Sequence, residues 1–380
     1  MDRRFLGILI ILPVFAMLIF AVPGKVLAAE EEGILKLDDF GLDEVEESLK
    51  ELSGSEIFHF TDAVRSLMKG EIPLDFESIR SLISRVLFSE MQNQKTTALQ
   101  VLLLVIAAAV ILNFTDICEK NSTAGVSFYV MYLLLFALLM KAFYGMSQMM
   151  ETSLEHVTGF MKALIPSYFA ASVFAAGSVS GTVFYEFTFV LIGIIQWLMK
   201  HALLPGVELY VLFQMLNHLS KDERLSRMAE LIRTLIEWTL KTLMAAALGL
   251  QAVQSLILPA VDSLKNTAVN RAASSIPGIG TVFGGVTDMV LGSAVLLKNS
   301  IGVCGMIAIL FICAAPVCRL ALCALLYRTM AAVIQPVSDR RLNACVAAVS
   351  DGAGLLLKIM LDTGMLFFLT LAMVTASLGK

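Results

Sequence analysis

Seven ionisable residues fall within long apolar runs of this sequence: Glu186, Glu208, Asp288, Lys298, Arg319, Lys358 and Asp362. A charge at the centre of a transmembrane helix costs about 2.5–3.5 kcal/mol on insertion scales. Each therefore needs water, a partner, or a side chain long enough to reach the headgroups. Reaching the interface is the undemanding outcome for Lys298 and Lys358. Glu208 and Arg319 stand out by position, each three residues after a proline (Pro205, Pro316) that interrupts an apolar run. A carboxylate just past a helix break gains about 0.3–1 kcal/mol from the helix dipole, whereas an arginine there gains nothing and needs a counter-charge more acutely. Two readings follow: Glu208 and Arg319 meet, directly or through water, or each snorkels separately.

Other chemistry is sparse. His59, His156, His201 and His218 are scattered, without metal-binding spacing. Cys313, Cys318 and Cys323 recur every five residues, which spreads them around a helix as small packing groups. Cys118 and Cys345 flank loops read as facing a reducing compartment, so no disulfide framework is expected. Without a phosphate loop, nucleophile elbow or HExxH pattern, the sequence predicts neither an enzyme nor a cofactor.

The elements that position these residues are membrane helices. The 380 residues are 58% apolar and 16% charged, with a net charge of −4 and a mean hydropathy of +0.81. A soluble chain is about a quarter charged, and several runs here approach the roughly 20 residues that span hydrocarbon. No basic block points to nucleic acid. Residues 1–29 read as an export signal: Asp2-Arg3-Arg4, apolar Phe5 to Val22, and small residues near Ala28-Ala29 for cleavage, with an uncleaved anchor as the competing reading. Residues 30–93 are acidic and amphipathic. Ile57, Phe58, Phe60, Val64, Leu67 and Met68 form one helical face, and a second helix follows Pro73. About 60 residues bury too little to stand alone, so these faces dock on a membrane, on the bundle or on a partner. Residues 94–159 carry two spans, followed by two membrane repeats at 160–260 and 261–380.

The repeat shows as paired residues. Ile165-Pro166 and Ile276-Pro277 lie 111 apart, as do Gly181 and Gly292, Pro205 and Pro316, and Leu209 and Leu320. Further on the offset is 117, pairing Asp222 with Asp339 and Arg224 with Arg341. Duplicated architectures with discontinuous helices are common among transporters. Asn270 to Gly305 holds seven glycines, including Gly284 and Gly285, and breaks at Ile276-Pro277-Gly278. It reads either as a broken or re-entrant helix lining a path or as a loop followed by an ordinary span packed through small residues. The repeat-equivalent loops carry Lys221, Arg224 and Arg227, and Arg340 and Arg341. The positive-inside rule puts both in the cytoplasm, with residues 30–93 and the C-terminus outside. Six crossings plus two re-entrant segments fit, as do eight or more.

The run ASSIPGIGTVFGGVTDMVLGSAVLLKNSIGVCG, with Pro316 in an apolar helix and Leu-Tyr-Arg at 326–328, resembles the stage III sporulation protein AE family of endospore-forming bacteria. The likeness covers nearly the whole chain and rests on this run and the architecture, not on a catalytic motif. It implies a multi-pass protein of the mother-cell membrane around the forespore. Its implied partners are the other proteins of the stage III sporulation A operon (an ATPase and ring-forming ectodomain proteins) and a forespore-side protein. Within such a channel or secretion-like complex the chain resembles the pore, permease or export-gate part. A non-conducting scaffold for the rings and a free-standing secondary transporter are the alternatives. The expected fold is all-α and polytopic, with proline- and glycine-broken, internally duplicated helices and a small extracytoplasmic amphipathic segment.

Overall fold

Long charge-poor runs with 3.6-residue periodicity become long rods. The computed structural model describes residues 40–53, 59–69, 76–117, 123–176, 180–219, 225–273, 280–336 and 338–377. The export signal at 1–29, Pro277, Cys118, Lys221 and Arg224 lie outside them. Two short helices, α1 (Leu42–Ser53) and α2 (Phe60–Met68), precede α3 (Phe76–Ile117) and α4 (Thr123–Ala176). Next come α5 (Ser180–Leu198), a π-helical turn (Met199–Leu203), α6 (Leu204–Leu219), α7 (Ser226–Ala273), α8 (Gly280–Ile334) and α9 (Arg340–Ser377). Among the described residues five helical stretches are long and apolar enough to cross a membrane: Ser84–Val110, Tyr129–Phe174, Glu186–Leu219, Gly292–Ile334 and Arg340–Met373. The protein is an all-α polytopic membrane protein.

The helices run past the expected breaks. Pro166 lies inside α4 and Pro316 inside α8, neither of which is interrupted. Gly284, Gly285 and Gly292 are helical as well, so from Gly280 onward the glycine-rich stretch is continuous helix without a break. An isolated proline removes one hydrogen bond without ending a membrane helix, because neighbouring helices and small adjustments of the turn re-satisfy the freed backbone groups. Pro205 has a visible effect: the turn before it widens to π geometry, and the N–H of Leu204 bonds Met199 O. That wider turn accommodates the missing proline N–H. The expected boundaries at 93/94, 159/160 and 260/261 fall inside α3, α4 and α7. Composition changes where a helix enters lipid, not where it ends.

The rods alternate in direction. Gly302 and Gly305 of α8 face Tyr168 and Leu164 of α4, and Thr375 and Leu371 of α9. Further along, Gly364 faces Cys313 and the Ser350 hydroxyl donates to Ala324 O at 2.9 Å. At the opposite end Gly352 meets Val211 and Phe143, while the Tyr132 hydroxyl donates to Met215 O. α8 therefore runs antiparallel to α4 and α9, and α4 antiparallel to α6. The C-terminal ends of α6 and α8 share one end of the bundle, and the C-terminal end of α9 lies at the other.

The amphipathic segment docks on that second end. Phe40 packs edge-on against Phe174 at 5.8 Å and Phe60 against Phe160 at 6.2 Å, measured between ring centroids. The Ser167 hydroxyl donates to Gly41 O at 3.1 Å. Gly41 adopts φ +65°, a left-handed conformation that glycine takes without strain. Asp43 and Glu44 in the first turn of α1 and Lys50 in its last complement the helix dipole. Phe60, Val64 and Leu67 are buried, as their spacing predicts. The bundle itself covers the face that the sequence left unassigned.

Candidate membrane-embedded polar site

α3 carries its polar residues on one stripe. Glu90, Asn93, Gln94, Thr97 and Gln100 recur at i, i+3, i+4, i+7 and i+10, one side of an α-helix. They line a groove of about 380 Å³ closed on its far side by α4 residues including Lys141 and Gly145. Glu90 is only 8% exposed. One of its oxygens accepts from Gln94 Nε2 at 3.0 Å and from Cys323 Sγ at 3.7 Å; the other lies 4.0 Å from Arg319 Nε. The carboxylate thus ties α3 to α8, and its amide and ammonium neighbours keep the groove polar beside apolar helix faces.

This geometry gives Arg319 a partner, Glu90, that neither reading of the sequence named. Glu208 does not meet it: its carboxylate accepts from the buried Ser147 hydroxyl of α4 at 2.6 Å. Nor does Glu208 lie at a free helix N-terminus, because the π turn joins α5 to α6 without a break. Opposite charges at repeat-equivalent positions need not converge when the helices between them are continuous. Lys358 pairs with Glu237 at 3.9 Å, and Glu186 is exposed. Lys298, expected at the interface, is instead fully buried. Asp288, Gly181, Gly284 and Gly285 belong to described helices, but their side-chain environments lie outside the described residues.

Among the described residues, the expected path-lining positions differ in exposure. Pro166, Pro205 and Gly292 are exposed, and Pro316 is buried. A Cβ placed on Gly292 meets nothing within 4 Å, so close approach is not its role. The glycines that permit contact are Gly302, Gly305, Gly352 and Gly364. Sequence reasoning also missed Glu90, although the stripe spacing on α3 was a usable signal. It missed a second polar cluster too: Lys200 Nζ lies 2.9 Å from Glu151 and 2.6 Å from Glu155, bridging α5 and α4 through the π turn. One turn away, Lys162 Nζ donates to Gln196 Oε1 at 2.6 Å.

Comparison with known proteins adds identity to this geometry. Residues 58–377 match the sequence family described as Stage III sporulation protein AE. The Stage III sporulation protein AE of Bacillus subtilis (strain 168) is 22% identical over 299 residues, covering 78% of this chain and 75% of that protein. No solved structure matches.

Proposed function

The chain belongs to the stage III sporulation protein AE family, and on that premise we propose that it is the polytopic pore, permease or export-gate part of a sporulation complex. This complex links mother cell and forespore, and its other members are an ATPase, ring-forming ectodomain proteins and a forespore-side protein. The chain resides in the mother-cell membrane around the forespore, with α1 and α2 outside the cytoplasm. The observation that supports conduction is the polar groove between α3 and α4. A stripe of carboxamide and hydroxyl side chains is costly against hydrocarbon and is retained where water or a polar cargo contacts it. Glu90 and Arg319 hold the stripe in place.

Cysteine substitution in a background lacking the native cysteines tests this reading. Thr97→Cys and Gln100→Cys should react with a bulky water-soluble thiol reagent, and that reaction should arrest forespore development in a strain relying on the variant. A scaffold that only anchors rings would tolerate the modification. Full sporulation after complete labelling at both positions would overturn the conducting role.

A further inference from the structure

Lys298 combines full burial with no hydrogen-bond or ionic partner for its Nζ. Its neighbourhood follows from the register of α4 against α8. Gly302 lies opposite Tyr168, so in an antiparallel pair Lys298, one turn earlier, lies level with Ser172, one turn later. The hydroxyls of Tyr168, Ser172 and Thr375 lie close together. Thr375 donates to Leu371 O at 2.8 Å; Tyr168 Oη and Ser172 Oγ are buried without completing a hydrogen bond. Lys298 of α8 and the Tyr168 and Ser172 hydroxyls of α4, each buried without a completed hydrogen bond, thus stand on facing turns of the two helices.

Donors outnumber acceptors here. An ammonium offers three N–H groups and accepts nothing, and each hydroxyl adds one donor beside acceptor lone pairs that carry no counter-charge. The segments 157–176 of α4, 289–334 of α8 and 363–377 of α9 contain no Asp or Glu. None of these segments can therefore supply a carboxylate to balance the charge. A buried charge persists only when paired and hydrogen-bonded. We propose that Lys298, Tyr168 and Ser172 bind a small monovalent anion of halide size within the bundle. The site is remote from the Glu90 groove and independent of what that groove conducts.

The full chain in detergent tests this by thermal unfolding in chloride, bromide or gluconate at constant ionic strength. An ion that binds only the folded state raises the unfolding midpoint in a saturable way. Chloride and bromide should raise it by a few degrees, whereas gluconate, a far larger anion, should not. Lys298→Met should abolish the halide response, and Ser172→Ala should shift its half-saturation several-fold upward. Should Lys298→Met fail to fold, Lys298→Arg, which keeps the charge, should retain the response, and anomalous scattering from bromide-soaked crystals should place the ion beside Nζ. Equal midpoints in halide and gluconate would overturn the site. So would an undiminished halide response in Lys298→Met, or stability that depends on pH but not on halide, the signature of a neutral amine.

Discussion

Glu46 shows how one carboxylate can fasten the docked segment. It accepts from the Thr61 backbone N–H at 3.3 Å and contacts Lys50 at 3.0 Å and His59 at 3.2 Å. Burial pushes its pKa up, but hydrogen bonds from Thr61, Lys50 and His59 outweigh that and hold it at about 2, below its ordinary 4.5. A depressed carboxyl stabilises fully above its unfolded value, and the contribution disappears as pH falls through the folded one. The loss therefore runs from about pH 4.5 down to about 2 and amounts to at most about 3 kcal/mol, reduced by solvent screening around the exposed Lys50 and His59. We expect the protection of the α1 amides against hydrogen exchange, taken relative to the intrinsic rate at each pH, to fall across that window in the native chain. Glu46→Gln should be less protected at neutral pH and lose that fall in protection. An identical pH profile in both proteins would show that the contacts are incidental.

At the scale of elements, stability depends on where the backbones approach. A methyl group on Gly352 would strike Val211 and Phe143, with Phe143 Cε2 at 2.7 Å. Overpacking of this kind costs about 1–3 kcal/mol. Gly352→Ala should therefore lower the unfolding midpoint. Gly292→Ala, in open space, should be neutral or stabilising by up to about 1 kcal/mol through helix propensity. The reverse order of midpoints would contradict the packing of α9 on α4 and α6. The same comparison shows what could be read in advance. Period and composition gave the helical class, the apolar segments and the inward face of α2, because those depend on local burial. They did not distinguish Gly292 from Gly352, because a glycine's role depends on a helix far away in sequence. Nor did they find the Glu90–Arg319 contact: Glu90 lies in a polar stretch that reads as solvated until α8 packs against it. Prolines were over-read as breaks because the local pattern does not show that neighbouring turns can absorb one missing N–H.

At the scale of the molecule, length constrains how the bundle meets the bilayer. α4 and α8 contain 54 and 55 residues, about 80 Å of helix each. The hydrocarbon core is about 30 Å thick, and even at a 40° tilt one crossing uses only about 26 residues. Roughly half of each rod must therefore lie beyond the hydrocarbon. The half-exposed cluster of Lys200, Glu151 and Glu155 marks a level on the outer surface where water or headgroups are required. Arg227, Arg340 and Arg341 lie near the loop end, whereas α1, α2 and the end of α9 lie opposite. On the positive-inside rule the loop end is expected in the cytoplasm. Single cysteines expressed in vegetative cells, in a background lacking the native ones, give the sidedness. Glu47→Cys and Lys380→Cys should react with an impermeant reagent from outside intact cells, and Gln335→Cys only after permeabilisation. Labelling of Gln335→Cys from outside, with Glu47→Cys protected, would invert the whole arrangement, because the antiparallel rods leave no way to turn one end without the other.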